Sequence, residues 1–158
     1  MAHAYRTAAR VDAPADVVWR LLSDVEGMPG WTRSMTRVSI VDGDGLAVGT
    51  RVEIEQPGLP RATWEVDGLT DGRSFSWSSS SPGVRTGAAH LVTPQPGAGS
   101  DGGEACDVTL VVAQSGMLAG LTNLALGPRV RELVDTELAG LVAAAERAAG
   151  RRTAPPEA

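Results

Sequence analysis

Between residues 36 and 115, Gly, Pro and Asp cut the chain into short segments that alternate apolar and polar, and after Gly127-Pro128 the alternation gives way to a three-to-four-residue repeat. A period of two puts successive side chains on opposite faces of a strand, whereas a period of about 3.6 gathers them on one side of a helix. The alternating segments are residues 36–41, 50–56, 61–69, 74–80, 84–93 and 105–115. They are separated by Asp42-Gly43-Asp44-Gly45, Pro57-Gly58-Leu59-Pro60, Asp71-Gly72, Ser81-Pro82-Gly83 and a longer loop through 97–103. Gly and Asp tolerate the positive φ that tight turns need, so six sequential strands with short connections predict an antiparallel meander.

The flanks complete the pattern. Residues 4–11 alternate, with Arg6 and Arg10 opposite Tyr5, Thr7, Ala9 and Val11, and predict a strand with one wet face. Asp12-Ala13-Pro14 then supplies a cap-type oxygen and a proline suited to a first helical turn. A helix over 14–23 follows, its stripe formed by Val18, Leu22 and Val25, with Trp19 beside it as core. Gly27-Met28-Pro29-Gly30-Trp31 breaks that stripe and predicts a second short helix or turn ending at Trp31. Past Gly127-Pro128, the stripe Val130, Leu133, Val134, Leu138, Leu141, Val142 and Ala145 predicts a helix of about 22 residues, ~33 Å long, enough to cross a sheet. Residues 117–126 are almost wholly apolar and predict a helical turn bent away at Gly127-Pro128, because proline removes a backbone donor. Residues 1–150 form a single expected domain, and 151–158 read as a flexible tail.

Composition removes several functions. Leu, Ile, Val and Phe make up about a fifth of the 158 residues, just above the ~20% below which a highly charged chain stays disordered, and the net charge is only −5. A pI near 5 with scattered arginines offers no basic stripe for phosphates, so no nucleic-acid partner is expected. The single Cys106 excludes an intrachain disulfide and a thiolate zinc site, and two histidines leave any metal site to carboxylates, so no metal is expected. All 14 basic residues are arginine, which excludes a lysine Schiff base. The sequence Gly97-Ala98-Gly99-Ser100-Asp101-Gly102 satisfies a dinucleotide fingerprint, but it lies between two expected antiparallel strands with no helix to hold a pyrophosphate. It reads as a hairpin loop, and no cofactor is expected. No apolar run of ~18 residues or apolar signal core occurs, which gives the expectation of a soluble, cytoplasmic protein without a membrane span.

Strand, two short helices, six strands and a long helix is the order of the helix-grip fold, an α+β arrangement in which a curved seven-stranded antiparallel sheet wraps around a long C-terminal helix. One helix does not fill the concave side of seven strands, so a cavity is expected between them. Over about residues 4–149 the chain resembles the polyketide cyclase/dehydrase and lipid-transport group of the START-like (Bet v 1-like, SRPBCC) superfamily. The resemblance rests on Val11-Asp12-Ala13-Pro14-Ala15-Asp16-Val17-Val18-Trp19, Leu22-Ser23-Asp24, Trp31, Gly49-Thr50-Arg51, Trp64-Glu65-Val66, Phe75-Ser76-Trp77, Pro82-Gly83-Val84, His90 and Glu137-Leu138-Ala139-Gly140-Leu141. It implies a cavity for an apolar, polyketide-like or lipid-like small molecule, used either for cyclisation or dehydration or for binding and transport without chemistry.

Strand parity selects the groups that enter such a cavity. Tyr5 and Thr7 go with Val11, Gln56 with Val52 and Ile54, Thr86 and His90 with Val92, and Gln114 with Cys106, Val108, Leu110 and Val112, while the strand glutamates fall on the other side. His90 and Tyr5 are then the inward groups with proton chemistry: His90 as donor or acceptor to a carbonyl or enol, Tyr5 as the holder of a ligand oxygen. Each also has a plain structural reading, as a hydrogen-bonded strand histidine and a packed ring. Trp31, Trp64, Trp77 and Gln56 are candidate ligand contacts, and Met28, Met35, Met117 and Leu121 a candidate adaptable mouth. Residues 117–126 serve equally as a cavity gate or as the apolar patch of an interaction module, and a homodimer is admitted.

Overall fold

In a computed structural model that describes residues 2–153, the period-two segments form one antiparallel sheet in the order β1-β7-β6-β5-β4-β3-β2. The strands are β1 (His3–Val11), β2 (Arg37–Asp42), β3 (Arg51–Glu55), β4 (Ala62–Thr70), β5 (Ser74–Ser81), β6 (Val84–Gln95) and β7 (Ala105–Ser115). Helix α1 (Ala15–Ser23) and a 3₁₀ helix (Val25–Gly30) join β1 to β2, and α2 (Ala119–Thr153) ends the described chain. The meander runs without a crossover from β2 to β7, and β1 adds to its far edge by pairing with β7 from His3↔Gln114 to Val11↔Cys106. Register shifts between Ile40 and Asp42 and between Val66 and Gly68 are the bulges expected where a sheet bends. The result is the curved helix-grip sheet with its long C-terminal helix.

Alternation decides which face is which. Val52 and Ile54 of β3, Val66 of β4, Phe75 and Trp77 of β5, Val92 of β6 and Cys106, Val108 and Leu110 of β7 are buried with Val17, Val18 and Leu22 of α1 in one core. Each side chain of this size contributes about 1.5–3 kcal/mol by leaving water. The opposite face carries Arg51–Glu65, Arg85–Asp67 and Arg61 between Glu53 and Glu55, with most of these side chains half exposed, so these pairs keep the face solvated and add little stability. On α2, Leu133, Val134, Leu138, Leu141 and Ala145 face inward while Arg131, Glu132 and Asp135 are exposed.

Two local expectations are corrected. Helix α2 passes through Gly127-Pro128 as one 35-residue helix instead of a turn and a shorter helix. Pro128 is exposed, on a side of the helix where a carbonyl left without its N–H donor costs least. Asp12 does not cap α1; Pro14 occupies the cap without a side-chain bond. The Asp12 carboxylate instead accepts from the Ser100 N–H at 3.1 Å and from the Ser100 hydroxyl, pinning the 97–103 loop, which is indeed a β6–β7 connection. The helix also reaches Thr153, into the segment expected to be a tail; residues 154–158 lie outside the described residues.

Gly140 sets how closely α2 lies against the loop after the 3₁₀ helix. A Cβ at this position would collide with the Trp31 carbonyl oxygen and crowd Thr32. Only the bare glycine lets helix and loop meet there.

Candidate functional site

Between the sheet and α2 lies a cavity of about 480 Å³. That falls within the ~300–1,000 Å³ typical of small-molecule pockets. Ile54, Trp64, Trp77 and Ala88 form its sheet side, and Leu126, Val130, Leu133 and Val134 its helix side. Trp64 and Trp77 pack at a tilt with centroids 6.1 Å apart. Apolar and aromatic side chains meet polar ones in this wall: Gln56, Thr86, His90, Gln114 and Glu137 border the same space and could orient a ligand.

The most deeply buried of those polar groups is His90 on β6. Its ring is 3% exposed, and its Nε2 meets Glu137 Oε1 of α2 at 2.9 Å; Glu137 is itself only 6% exposed. Phe75 stacks on the imidazole face at 4.2 Å with the planes 12° apart, and Trp77 meets its edge at 5.6 Å. A carboxylate only accepts hydrogen bonds, so it selects the Nε2–H tautomer and leaves Nδ1 bare; Nδ1 is buried without a partner. Three contacts therefore fix the ring, and both His90 and Glu137 line the cavity. One carboxylate oxygen is engaged by His90. The other is not.

The candidate residues from the sequence divide into two sets. Trp64, Trp77, Gln56, Met35 and His90 line the cavity, with Gln56 Nε2 donating to the Ser34 carbonyl at 3.2 Å. Tyr5, Trp31, Met28, Met117 and Leu121 do not. Tyr5 lies at a smaller cavity of about 80 Å³ on the β1 side, which shares Val112, Gln114 and Val130 with the main one. There its hydroxyl donates to Asp135 Oδ1 at 2.6 Å, under the Arg131 guanidinium 5.9 Å above the ring. The hydrogen bond to Asp135 holds the phenol above its ordinary pKa of about 10. Met28 is fully buried in the core, and Trp31 is partly buried with its indole N–H unpartnered inside the protein. Met117 and Leu121 are exposed. His90 and Tyr5 are thus not brought together, and the partner of His90 is Glu137.

Strand parity does not reach Glu137, which stands on α2. The signal was present: Glu137 stands four after Leu133, three after Val134 and four before Leu141, inside the apolar stripe of the helix. A lone carboxylate at such a position enters the interior and needs a partner there. Besides His90 and Glu137, the titratable group among the described residues that borders the cavity is Arg61, whose guanidinium lies 3.7 Å from Glu53 and from Glu55. Arg10 holds Asp107 below the ordinary carboxylate range at 2.5 Å, and burial, with Asp107 adding to it, pushes the Cys106 thiol up to about 11, where it stays protonated and unreactive. Among the described residues no cluster of His, Cys, Asp and Glu is arranged to hold a metal ion, and no helix is long and apolar enough to cross a membrane.

Comparison with known proteins agrees with this architecture. The family described as polyketide cyclase / dehydrase and lipid transport matches residues 2–146. No curated protein matches the sequence. Truncated norcoclaurine synthase from Thalictrum flavum superposes with a TM-score of 0.69 at 15% identity, over 90% of this chain and 92% of that one. The di-domain ARO/CYC BexL from the BE-7585A biosynthetic pathway gives 0.67 at 22% identity over 91% of this chain and 46% of its own, so this chain spans about half of it. A START superfamily protein from Mycobacterium smegmatis gives 0.64 at 18% identity over 96% and 99%. At these identities the likeness is one of fold.

Proposed function

The chain belongs to the polyketide cyclase / dehydrase and lipid transport family of the START-like (SRPBCC) superfamily, and on that footing we propose that it binds an apolar, polyketide-like small molecule in the cavity and promotes its cyclisation or dehydration by acid–base chemistry. The observation that carries this reading is the buried His90–Glu137 pair in the wall of an aromatic-lined cavity. An apolar pocket alone needs no such pair. Taking a carboxylate out of water is costly, and the contact with His90 is what makes Glu137 tenable there.

In this reading the tryptophan walls hold a ketone-bearing chain folded, which lowers the entropic cost of an intramolecular closure. Glu137, held by His90, removes a proton α to a carbonyl, and the enolate carbon attacks a second carbonyl. The new C–C bond leaves an alkoxide, to which the pair returns the proton. For dehydration the same proton is returned to the departing β-hydroxyl, so that a C–H and a C–O bond break, a C=C bond forms, and water leaves. Proton transfer by a positioned pair is worth roughly 10²–10⁴-fold. Tyr5, at the smaller cavity, has no part in this step.

A β-hydroxyketone with an aryl substituent, followed by the absorbance of the conjugated enone, tests the chemistry against the wild type and Glu137→Gln. Faster appearance of enone with wild type than with the variant is expected. If both proteins bind the compound and neither converts it, the chain is a binding or transport protein for such ligands and the acid–base assignment fails for that compound.

A further inference from the structure

The turn that leads into α2 and the first turns of the helix carry an apolar stripe on the side away from the cavity. Met117 is 95% exposed, Leu124 79%, Leu121 66% and Leu118 47%. Met117, Leu121 and Leu124 follow one another at four- and three-residue spacing, and no charged residue occurs between Asp107 and Arg129, in a chain that is 21% charged. The same segment turns Thr122 and Leu126 into the cavity. It is anchored at its start, where the Leu118 N–H donates to the Gly83 carbonyl at 2.9 Å and so ties the stripe to the β5–β6 turn, whose Ser81 and Val84 also border the cavity. An uncharged outer stripe and the cavity wall are thus two faces of one short segment, the start of α2 and the turn before it.

We propose that this stripe is a docking surface for the apolar interior of a lipid leaflet, placing the cavity beside the membrane surface so that an apolar ligand passes along α2 without crossing water. Size argues against a protein occupant. Four side chains of this kind expose on the order of 400 Å², about half of the ~800 Å² per partner that a stable protein interface covers. A lipid surface has no such minimum, because reversible attachment grows with each apolar group inserted. Charge points the same way: the net −5 of the chain and the uncharged stripe suit a zwitterionic surface and gain nothing from an anionic one.

The test is co-sedimentation with phosphatidylcholine vesicles, comparing wild type with the triple variant Met117→Gln, Leu121→Gln and Leu124→Gln. All three positions are solvent exposed, and unchanged circular dichroism and melting temperature establish that the variant is folded. Wild type is expected to partition onto the vesicles, with no gain when phosphatidylserine is added, and the variant to partition at least about tenfold less. Glu137→Gln is expected to partition like wild type, which separates this surface from the cavity chemistry. The proposal is overturned if wild type does not sediment, if the triple variant sediments equally, if binding requires phosphatidylserine, or if sedimentation velocity shows a dimer that the triple variant abolishes.

Discussion

His90 Nε2 and Glu137 Oε1 meet at 2.9 Å from elements 47 positions apart in the chain, one on β6 and one on α2, and both are buried. The contact joins sheet to helix at the wall of the cavity. Removing one partner leaves the other buried and unsatisfied, so Glu137→Ala is expected to cost about 3 kcal/mol in urea denaturation. Glu137→Gln keeps the volume and a hydrogen-bonding group and is expected to cost about 1 kcal/mol while lowering turnover by roughly 10²-fold or more. Equal stability of Glu137→Ala and wild type would show that the pair is not buried as described.

Tyr5 is the only tyrosine, so phenolate absorbance reports it alone. Its pKa is held above the ordinary value, chiefly by the hydrogen bond to Asp135. A raised folded pKa favours the neutral phenol; its contribution is complete below the ordinary pKa and disappears as pH rises through the folded one. Titration is expected to show a midpoint above about 10, and Asp135→Asn to move it back down.

Asp12 responds in the opposite sense. The Ser100 hydroxyl, and then its backbone N–H, hold the Asp12 carboxyl below its ordinary range. Its contribution is therefore present above the ordinary carboxylate pKa and is lost as pH falls through the lower folded value. Ser100→Ala is expected to raise the Asp12 pKa towards about 3.9, measured by carboxyl NMR titration, and to loosen the 97–103 loop in amide exchange.

Gly140→Ala is expected to destabilise by about 1–3 kcal/mol, since the added methyl meets the Trp31 carbonyl and either helix or loop must shift. A neutral or stabilising effect in thermal denaturation would mean that α2 does not approach the loop so closely.

Cys106 is the single cysteine, fully buried, with its thiol pushed up to about 11. A thiol reagent at neutral pH is expected to label it only as fast as the protein opens, with the rate rising in urea alongside loss of structure.

Sheet and helix were legible because each strand carries its own alternation and its own turn. Thr86, His90 and Val92, or Cys106, Val108 and Leu110, need no partner to show which side they favour. The site was legible only on the sheet. Parity placed His90 and Gln56, but Glu137 belongs to the other periodicity, and pairing it with His90 requires knowing how α2 crosses the strands. Tyr5 shows the complementary case. It shares a face with Val11, yet Val11 lies in the core while Tyr5, six residues along an edge strand, meets Asp135 and Arg131 of α2, contacts that depend on how the helix passes over β1. Asp12 resembles a cap from sequence alone because its partner Ser100 stands 88 positions away.

The cavity is the centre of this account, and the four indole N–H resonances test it directly in a titration with apolar aromatic ligands that includes anilinonaphthalene sulfonate. Trp64 and Trp77 line the cavity, whereas Trp19 packs in the core and donates to Asp71 at 3.0 Å. Ligand is predicted to shift Trp64 and Trp77 and to leave Trp19 in place, in wild type and in Glu137→Gln alike. Shifts at Trp19 with Trp64 and Trp77 unmoved would contradict the account.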